Sequence, residues 1–229
     1  MSDNLFGFPV HTIRIDPDSY DKDKIVSDIK KNYEIDNNRN EWGTSNLHHT
    51  YGDWDNEKFI DINYNKLKLV YQKTFDNLFD NNFKHSQSFS FQWNIVNYTA
   101  IKTGQHMQSH THPSYDFSCT HYINFNPEKH SSIRFVNSSP MGLYGKEIME
   151  SQFNIVDNTD ISNSYLQGLW DWPVNEDYMV IFPATLQHEV PKQEETDELR
   201  ICIVTNIKLM ANSFPRYKGA SPVDDDKNT

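Results

Sequence analysis

The chain has 229 residues, 36% hydrophobic and 14% aromatic, which is enough for one well-filled core rich in rings, and its length does not demand a second domain. A net charge of −11 argues against attachment to duplex DNA or an anionic membrane, because phosphate contacts need clustered Lys and Arg and no basic run is present. Two cysteines, Cys119 and Cys202, with no CxxC spacing, exclude a disulfide scaffold and a zinc knuckle.

The first residues lack a basic n-region and a long apolar run, and no stretch approaches membrane length, so a soluble protein acting in the cytoplasm is expected. Phe6 to Ile15 reads as a short strand ending at Asp16-Pro17, where Asp suits an N-cap and Pro the first helical position. Ile25, Ile29 and Tyr33 recur at helical spacing and predict a first helix. Residues 36–55 are polar and turn-rich, with Trp42 and Gly43 as anchors. A second helix carries Leu67, Val70, Tyr71, Phe75 and Leu78 on one face and ends at Asp80-Asn81-Asn82.

Here the period changes from helical to alternating. Phe89, Phe91, Trp93 and Ile95 face one way in a strand that reaches Ile101, and Gly104 breaks the pattern. Phe117, Cys119, Ile123 and Phe125 alternate with Ser118, Thr120, Tyr122 and Asn124 in the next strand. Further strands are predicted at 132–136, 178–182, 188–192 and 199–207. Residues 138–176 read as an elaborated loop partly covering a pocket. The expectation is a single α+β domain spanning 1–229, with helical decoration over 1–85, a jelly-roll core over 86–212 and a mobile tail over 213–229.

The chemistry concentrates in His110-Thr111-His112-Pro113, in Phe182-Pro183 followed by His188, and in Arg200 twelve residues after His188. Two imidazoles one residue apart at a strand end, with a third from a distant strand, can share one metal ion. A hairpin centred on Glu194 would set His188 opposite Arg200, with Arg200, Cys202, Val204 and Asn206 toward the pocket and Ile201, Ile203 and Ile207 away from it. A guanidinium there suits an anionic co-substrate, since its donors form a planar fork. Structural readings stand beside these. A single His in a strand is more often a packed residue than a ligand, and His11, His48, His49, His85 and His130 take that reading. Arg200 could pair with Glu198 or Asp197, and Asn206 and Tyr122 could satisfy buried backbone groups.

From about Gly104 to Ile207, and more weakly from Trp42 to Tyr51, the chain resembles the 2-oxoglutarate/Fe(II)-dependent oxygenases common in marine phage and bacterial genomes. The likeness rests on His110 to Pro113, Ser118 to Ile123, Phe182-Pro183, Leu186, His188, Val190-Pro191, Arg200-Ile201-Cys202 and Asn206. It implies a double-stranded β-helix of the jelly-roll, cupin-like kind, with Fe(II) on His110, His112 and His188 and 2-oxoglutarate on Arg200, assisted by Tyr122, Cys202 and Asn206. It also implies O₂ and a small-molecule or peptide substrate as partners, and it admits a phage-encoded chain acting in its host. The wider superfamily places a carboxylate two residues after the first His. Here that position is His112, with Asp116 as the alternative third ligand. A non-redox cupin-like module, metal-binding or interacting, is the competing reading.

Overall fold

The computed structural model describes residues 2–5, 8–38, 43–50, 57–82, 89–137 and 168–211. In chain order the elements are β1 (Ser2–Leu5), β2 (Phe8–Arg14), a 3-10 turn (Pro17–Ser19), α1 (Lys22–Ile35), β3 (His48–His49), α2 (Asn65–Asn82), β4 (Phe89–Ile101), β5 (Met107–His110), β6 (Phe117–Asn124), β7 (Arg134–Val136), β8 (Leu169–Asp171), β9 (Tyr178–Pro183), β10 (His188–Val190) and β11 (Arg200–Ala211). They form a seven-stranded sheet, β1-β2-β9-β6-β11-β4-β3, and a four-stranded sheet, β5-β10-β7-β8. Every strand pairing is antiparallel. The fold is mostly β, with two α-helices among the described residues.

Asp16-Pro17 opens the 3-10 turn rather than α1, with the Asp16 carboxylate accepting from Asp18 N at 3.1 Å. The first long helix starts one turn later, at Lys22. Ile25 and Ile29 of α1, and Leu67, Tyr71, Phe75 and Leu78 of α2, are buried against one face of the large sheet, with Tyr98, Ala100, Cys119, Ile123, Ile201, Ile203 and Ile207. Each such aliphatic or aromatic side chain contributes about 1.5–3 kcal/mol by leaving water. The opposite face packs Tyr122, Val180, Phe182 and Cys202 against Ile133, Phe135 and Trp172. The layers therefore run helices, large sheet, small sheet, and the cavity described below opens between the two sheets.

Two details depart from the sequence pattern. In β4 the pairing with β11 steps from Val204↔Asn97 to Thr205↔Ile95, so Val96 is an extra residue. Phe91, Trp93 and Ile95 face the helices before this bulge, and Tyr98 and Ala100 do so after it. The second departure is a correction: the expected hairpin between His188 and Arg200 does not form. β10 pairs with β5 and β7, whereas β11 pairs with β4 and β6. Pro191 has no N–H for a ladder. Gln193 N instead donates to Gln105 O at 2.8 Å, and Gln193 O accepts from Gly104 N at 2.9 Å. The Gln193 amide further bridges Lys129 O (2.6 Å) and Ser131 N (2.9 Å), so the segment crosses from one sheet to the other.

The expected loop also contains structure: β8 pairs with β7, and Trp172 is buried between the sheets. The rest of that loop, with Tyr144, Phe153 and Tyr165, lies outside the described residues, as do Trp42 and the tail from 213. No helix among the described residues is long and apolar enough to cross a membrane.

Candidate metal centre

β5 and β10 pair so that His110 and His188 are direct cross-strand partners, which brings their ring centroids to 4.2 Å. His112 lies two residues beyond His110 and precedes Pro113, which holds it in extended backbone, so the two side chains stay on one side of the chain. Its N–H donates to Ala184 O at 2.8 Å. The Phe182-Pro183 motif thus has a structural task, because the turn it begins docks the backbone of His112 and leads into His188. Leu186 N closes that turn on Pro183 O at 2.9 Å, and Leu186 O accepts from His188 Nδ1 at 2.8 Å. His110 Nδ1 likewise lies 2.9 Å from Gln108 O. Gln108 is itself clamped: its Oε1 accepts from Thr44 N at 2.9 Å, and a Cβ at Gly43 (φ +57°) would fall 2.4 Å from that oxygen.

A carbonyl can only accept, so His110 and His188 carry their protons on Nδ1 and present Nε2 lone pairs. One ligand atom from each of His110, His112 and His188 lies within 4.8 Å of the others, the only such cluster among the described residues. Burial pushes His110 below its usual range. Burial and the neighbouring His110 hold His112 at about 4, and burial with both neighbours holds His188 well below its ordinary value. Three neutral imidazoles converging on one point are a donor set for a divalent first-row metal.

These histidines line a cavity of about 480 Å³ together with Arg200 and Asn206. Arg200 is 1% exposed; its Nε donates to Ser131 O at 2.9 Å, and its guanidinium carbon sits 5.2 Å from the Tyr122 ring centroid. Its Nη1 is buried without a partner. Glu198 and Asp197, the candidate structural partners, face Lys129 instead. The guanidinium is thus oriented from below and left with free donors. Tyr122 is fully buried under it, its hydroxyl oxygen accepting from Ile133 N at 3.0 Å. Cys202 shares this face of β11 but packs in the core between the sheets and does not line the cavity; burial pushes its thiol up to about 11. Asn206 lies against His112, with Nδ2 3.3 Å from Nδ1.

Asp116 is held elsewhere. Its Oδ2 accepts from Leu209 N at 2.7 Å, while its backbone bonds Ile207 O and Ala184 N, both at 2.9 Å. His48 and His130 have structural partners, Tyr98 Oη at 2.9 Å and Asn126 N at 3.0 Å. Their neighbour in type, His49, was expected to be structural but lines the cavity. The weaker resemblance around Trp42 to Tyr51 covers both His48 and His49 and does not separate them. Asn97 and Thr99 also line the cavity with no motif to mark them, and so does Thr120, which falls within the Ser118 to Ile123 motif.

The family described as "Putative 2OG-Fe(II) oxygenase" matches residues 93–206, the span that carries all three histidines, Arg200 and Asn206. The chain belongs to the 2OG-Fe(II) oxygenase family. No curated protein matches. Among solved structures, AviO1 from Streptomyces viridochromogenes Tue57 is 12% identical with a TM-score of 0.51, covering 90% of this chain and 90% of its own. A prolyl hydroxylase from Trichoplax adhaerens, solved with a hypoxia inducible factor oxygen degradation domain peptide fragment, is 10% identical with a TM-score of 0.50, covering 87% and 83%. At these identities the structures speak to the fold, and the fold is that of the oxygenases. As a 2OG-Fe(II) oxygenase the protein uses Fe(II) as its metal and 2-oxoglutarate as its co-substrate. The nitrogen donor set and the guanidinium with its unpartnered Nη1 fit that pair of ligands.

Proposed function

We propose that this oxygenase hydroxylates a C–H bond of a small-molecule or peptide substrate, with Fe(II) held by His110, His112 and His188. The distal carboxylate of 2-oxoglutarate would be bound by Arg200. The observation that carries this reading is the pairing, in one cavity, of three convergent imidazoles with a buried guanidinium that no carboxylate among the described residues neutralises. An unpaired buried cation is costly, and a bound carboxylate supplies the missing charge and acceptors. Two antiparallel sheets facing each other across this cavity support a double-stranded β-helix in a single domain. The peptide bound to the Trichoplax adhaerens prolyl hydroxylase keeps a peptide substrate open here.

Bound iron supplies the activation of O₂; one oxygen atom enters the substrate C–H bond and the other enters succinate, with loss of CO₂ from 2-oxoglutarate. The protein's own part is to bind and orient. Ser131 O and the Tyr122 ring fix the plane of the Arg200 guanidinium, so that its fork meets a carboxylate in one orientation. Ile133, Val190 and Val204 line the cavity and keep it partly dry, which strengthens each charged contact inside. All three metal-binding side chains are neutral, whereas the usual triad carries one carboxylate. The site therefore retains the full positive charge of its metal and favours an anionic chelating co-substrate. The test is turnover of 2-oxoglutarate to succinate under air with added Fe(II). Succinate formation lost in His188→Ala supports the reading. Tight zinc binding with no 2-oxoglutarate binding or turnover would replace it with a structural metal module.

A further inference from the structure

Asn206 is 2% exposed, and its Oδ1 is buried with no hydrogen-bond partner although its Nδ2 is 3.3 Å from His112 Nδ1. His112 Nε2 lies 3.3 Å from His188 Nε2, and His188 Nδ1 lies 2.8 Å from Leu186 O. These contacts form one chain, and each link has a direction. The Leu186 carbonyl accepts, so His188 is protonated at Nδ1 and has a lone pair at Nε2. A hydrogen bond between the two Nε2 atoms then needs His112 to donate, which leaves a lone pair on His112 Nδ1 for the Asn206 Nδ2 donor. In this direction His112 has no Nε2 lone pair to offer a cation.

The opposite direction moves the His112 proton to Nδ1, where it needs an acceptor. Asn206 has one in Oδ1. Half a turn of the amide exchanges Oδ1 and Nδ2 in the same space, and the two are distinguished only by their hydrogen bonds. No other hydrogen bond of this amide appears among the described residues.

We propose that Asn206 is a positioning residue that sets the tautomer of His112. Its amide donates to Nδ1 when the ring proton is on Nε2, and it turns to accept from Nδ1–H when Nε2 is committed to a metal ion. The assignment rests on the reading that the three imidazoles hold the metal, and it gives Asn206 a role toward a ligand rather than toward 2-oxoglutarate. An amide can serve both directions at one position. Aspartate only accepts, and leucine does neither.

The experiment uses the full chain with ¹⁵N-labelled histidine, stripped with chelator and then loaded with Zn(II) as a diamagnetic probe. Two-bond ¹H–¹⁵N correlation spectra report which nitrogen of His112 carries the proton. Wild type is expected to read Nε2–H when stripped and Nδ1–H with zinc. Asn206→Asp should read Nδ1–H in both conditions and bind zinc at least as tightly as wild type. Asn206→Leu should read Nε2–H when stripped and bind zinc about 10- to 100-fold more weakly, the usual cost of losing a group that orients a metal ligand. If Asn206→Leu does not fold, the near-isosteric Asn206→Asp decides the matter alone. One tautomer shared by wild type and Asn206→Asp in the stripped proteins overturns the proposal, as does unchanged zinc affinity in a folded Asn206→Leu. If wild type takes up no zinc, the metal reading fails instead. The stripped spectra of wild type and Asn206→Asp then still decide whether Asn206 sets the tautomer.

Discussion

Histidines gather on both sides of the seven-stranded sheet, in different company. On the helix side His121 Nδ1 meets Tyr71 Oη at 2.8 Å, and His48 Nε2 meets Tyr98 Oη at 2.9 Å. On the cavity side His110, His112 and His188 meet mainly one another. Neutrality does not separate the two groups, because burial pulls His121 down to about 3 and His112 to about 4. The partner separates them. A hydroxyl can donate or accept and so completes a neutral imidazole. A second imidazole does so only by turning an N–H toward its neighbour, and all three Nε2 lone pairs can converge only around a cation.

The largest expected break in this comparison is at the ligands. His110→Ala or His188→Ala should abolish stoichiometric metal, measured by metal analysis after gel filtration, and with it 2-oxoglutarate turnover. Either variant retaining one metal per chain would remove that residue from the site. Next is Arg200→Ala, which takes the charge-assisted partner from a desolvated carboxylate. A loss of about 2–5 kcal/mol is expected, on the order of 30- to several thousand-fold in 2-oxoglutarate affinity. Titration into the anaerobic Fe(II) protein measures it, with metal content unchanged and only partial recovery in Arg200→Lys, whose ammonium lacks the fork.

On the helix side the effect should be on stability alone. Tyr71→Phe leaves His121 Nδ1 buried without its hydroxyl and should cost about 1–3 kcal/mol in chemical denaturation, with metal and co-substrate binding intact. Acid should act on both faces. His112 and His121 have folded values below the ordinary 6.5, so the unfolded chain binds their protons first as pH falls. Their contribution to stability is complete above pH 6.5 and should be lost as pH falls toward 4 for His112 and toward 3 for His121. A melting temperature in chelator that stays flat from pH 7 to 4 would contradict this. The smallest effect belongs to Asp116→Ala. It removes one exposed acceptor for Leu209 N, worth about 0.5–1.5 kcal/mol, and should leave metal binding unchanged. Loss of the metal in Asp116→Ala would return the site to a two-His, one-carboxylate triad.

The three histidines proposed as ligands stand out in the local sequence because local geometry brings them together. His110 and His112 share a side through strand alternation, and Pro113 keeps His112 extended. Alternation along β11 likewise put Arg200, Val204 and Asn206 on one face and Ile201, Ile203 and Ile207 on the other, as the structure has them. The route that brings His188 near Arg200 was not legible. Glu194-Glu195 looks like a hairpin turn, and nothing nearby reveals that Gly104 and Gln105 will take the backbone groups of Gln193. His49 could not be told from His48, because neighbours on a strand face opposite ways and only the tertiary pairing of β3 with β4 decides which one meets the cavity. The helices were readable from their apolar stripes, although Asp16-Pro17 marked the preceding turn rather than the start of α1.

The extra residue at Val96 works on β4 as a frameshift works on a message. Upstream of it, odd-numbered positions are written for the helix layer; downstream, even-numbered ones are. Deleting Val96 would therefore be a local loss, because it removes the extra residue and leaves every other side chain on its present face. A regular strand that kept Val96 but lost the bulge would instead turn Asn97 and Thr99 into the helix layer, and Tyr98 and Ala100 toward the cavity. A deletion in this strand thus has one place to be absorbed, the bulge itself, whereas an insertion would need a second bulge to keep the frame.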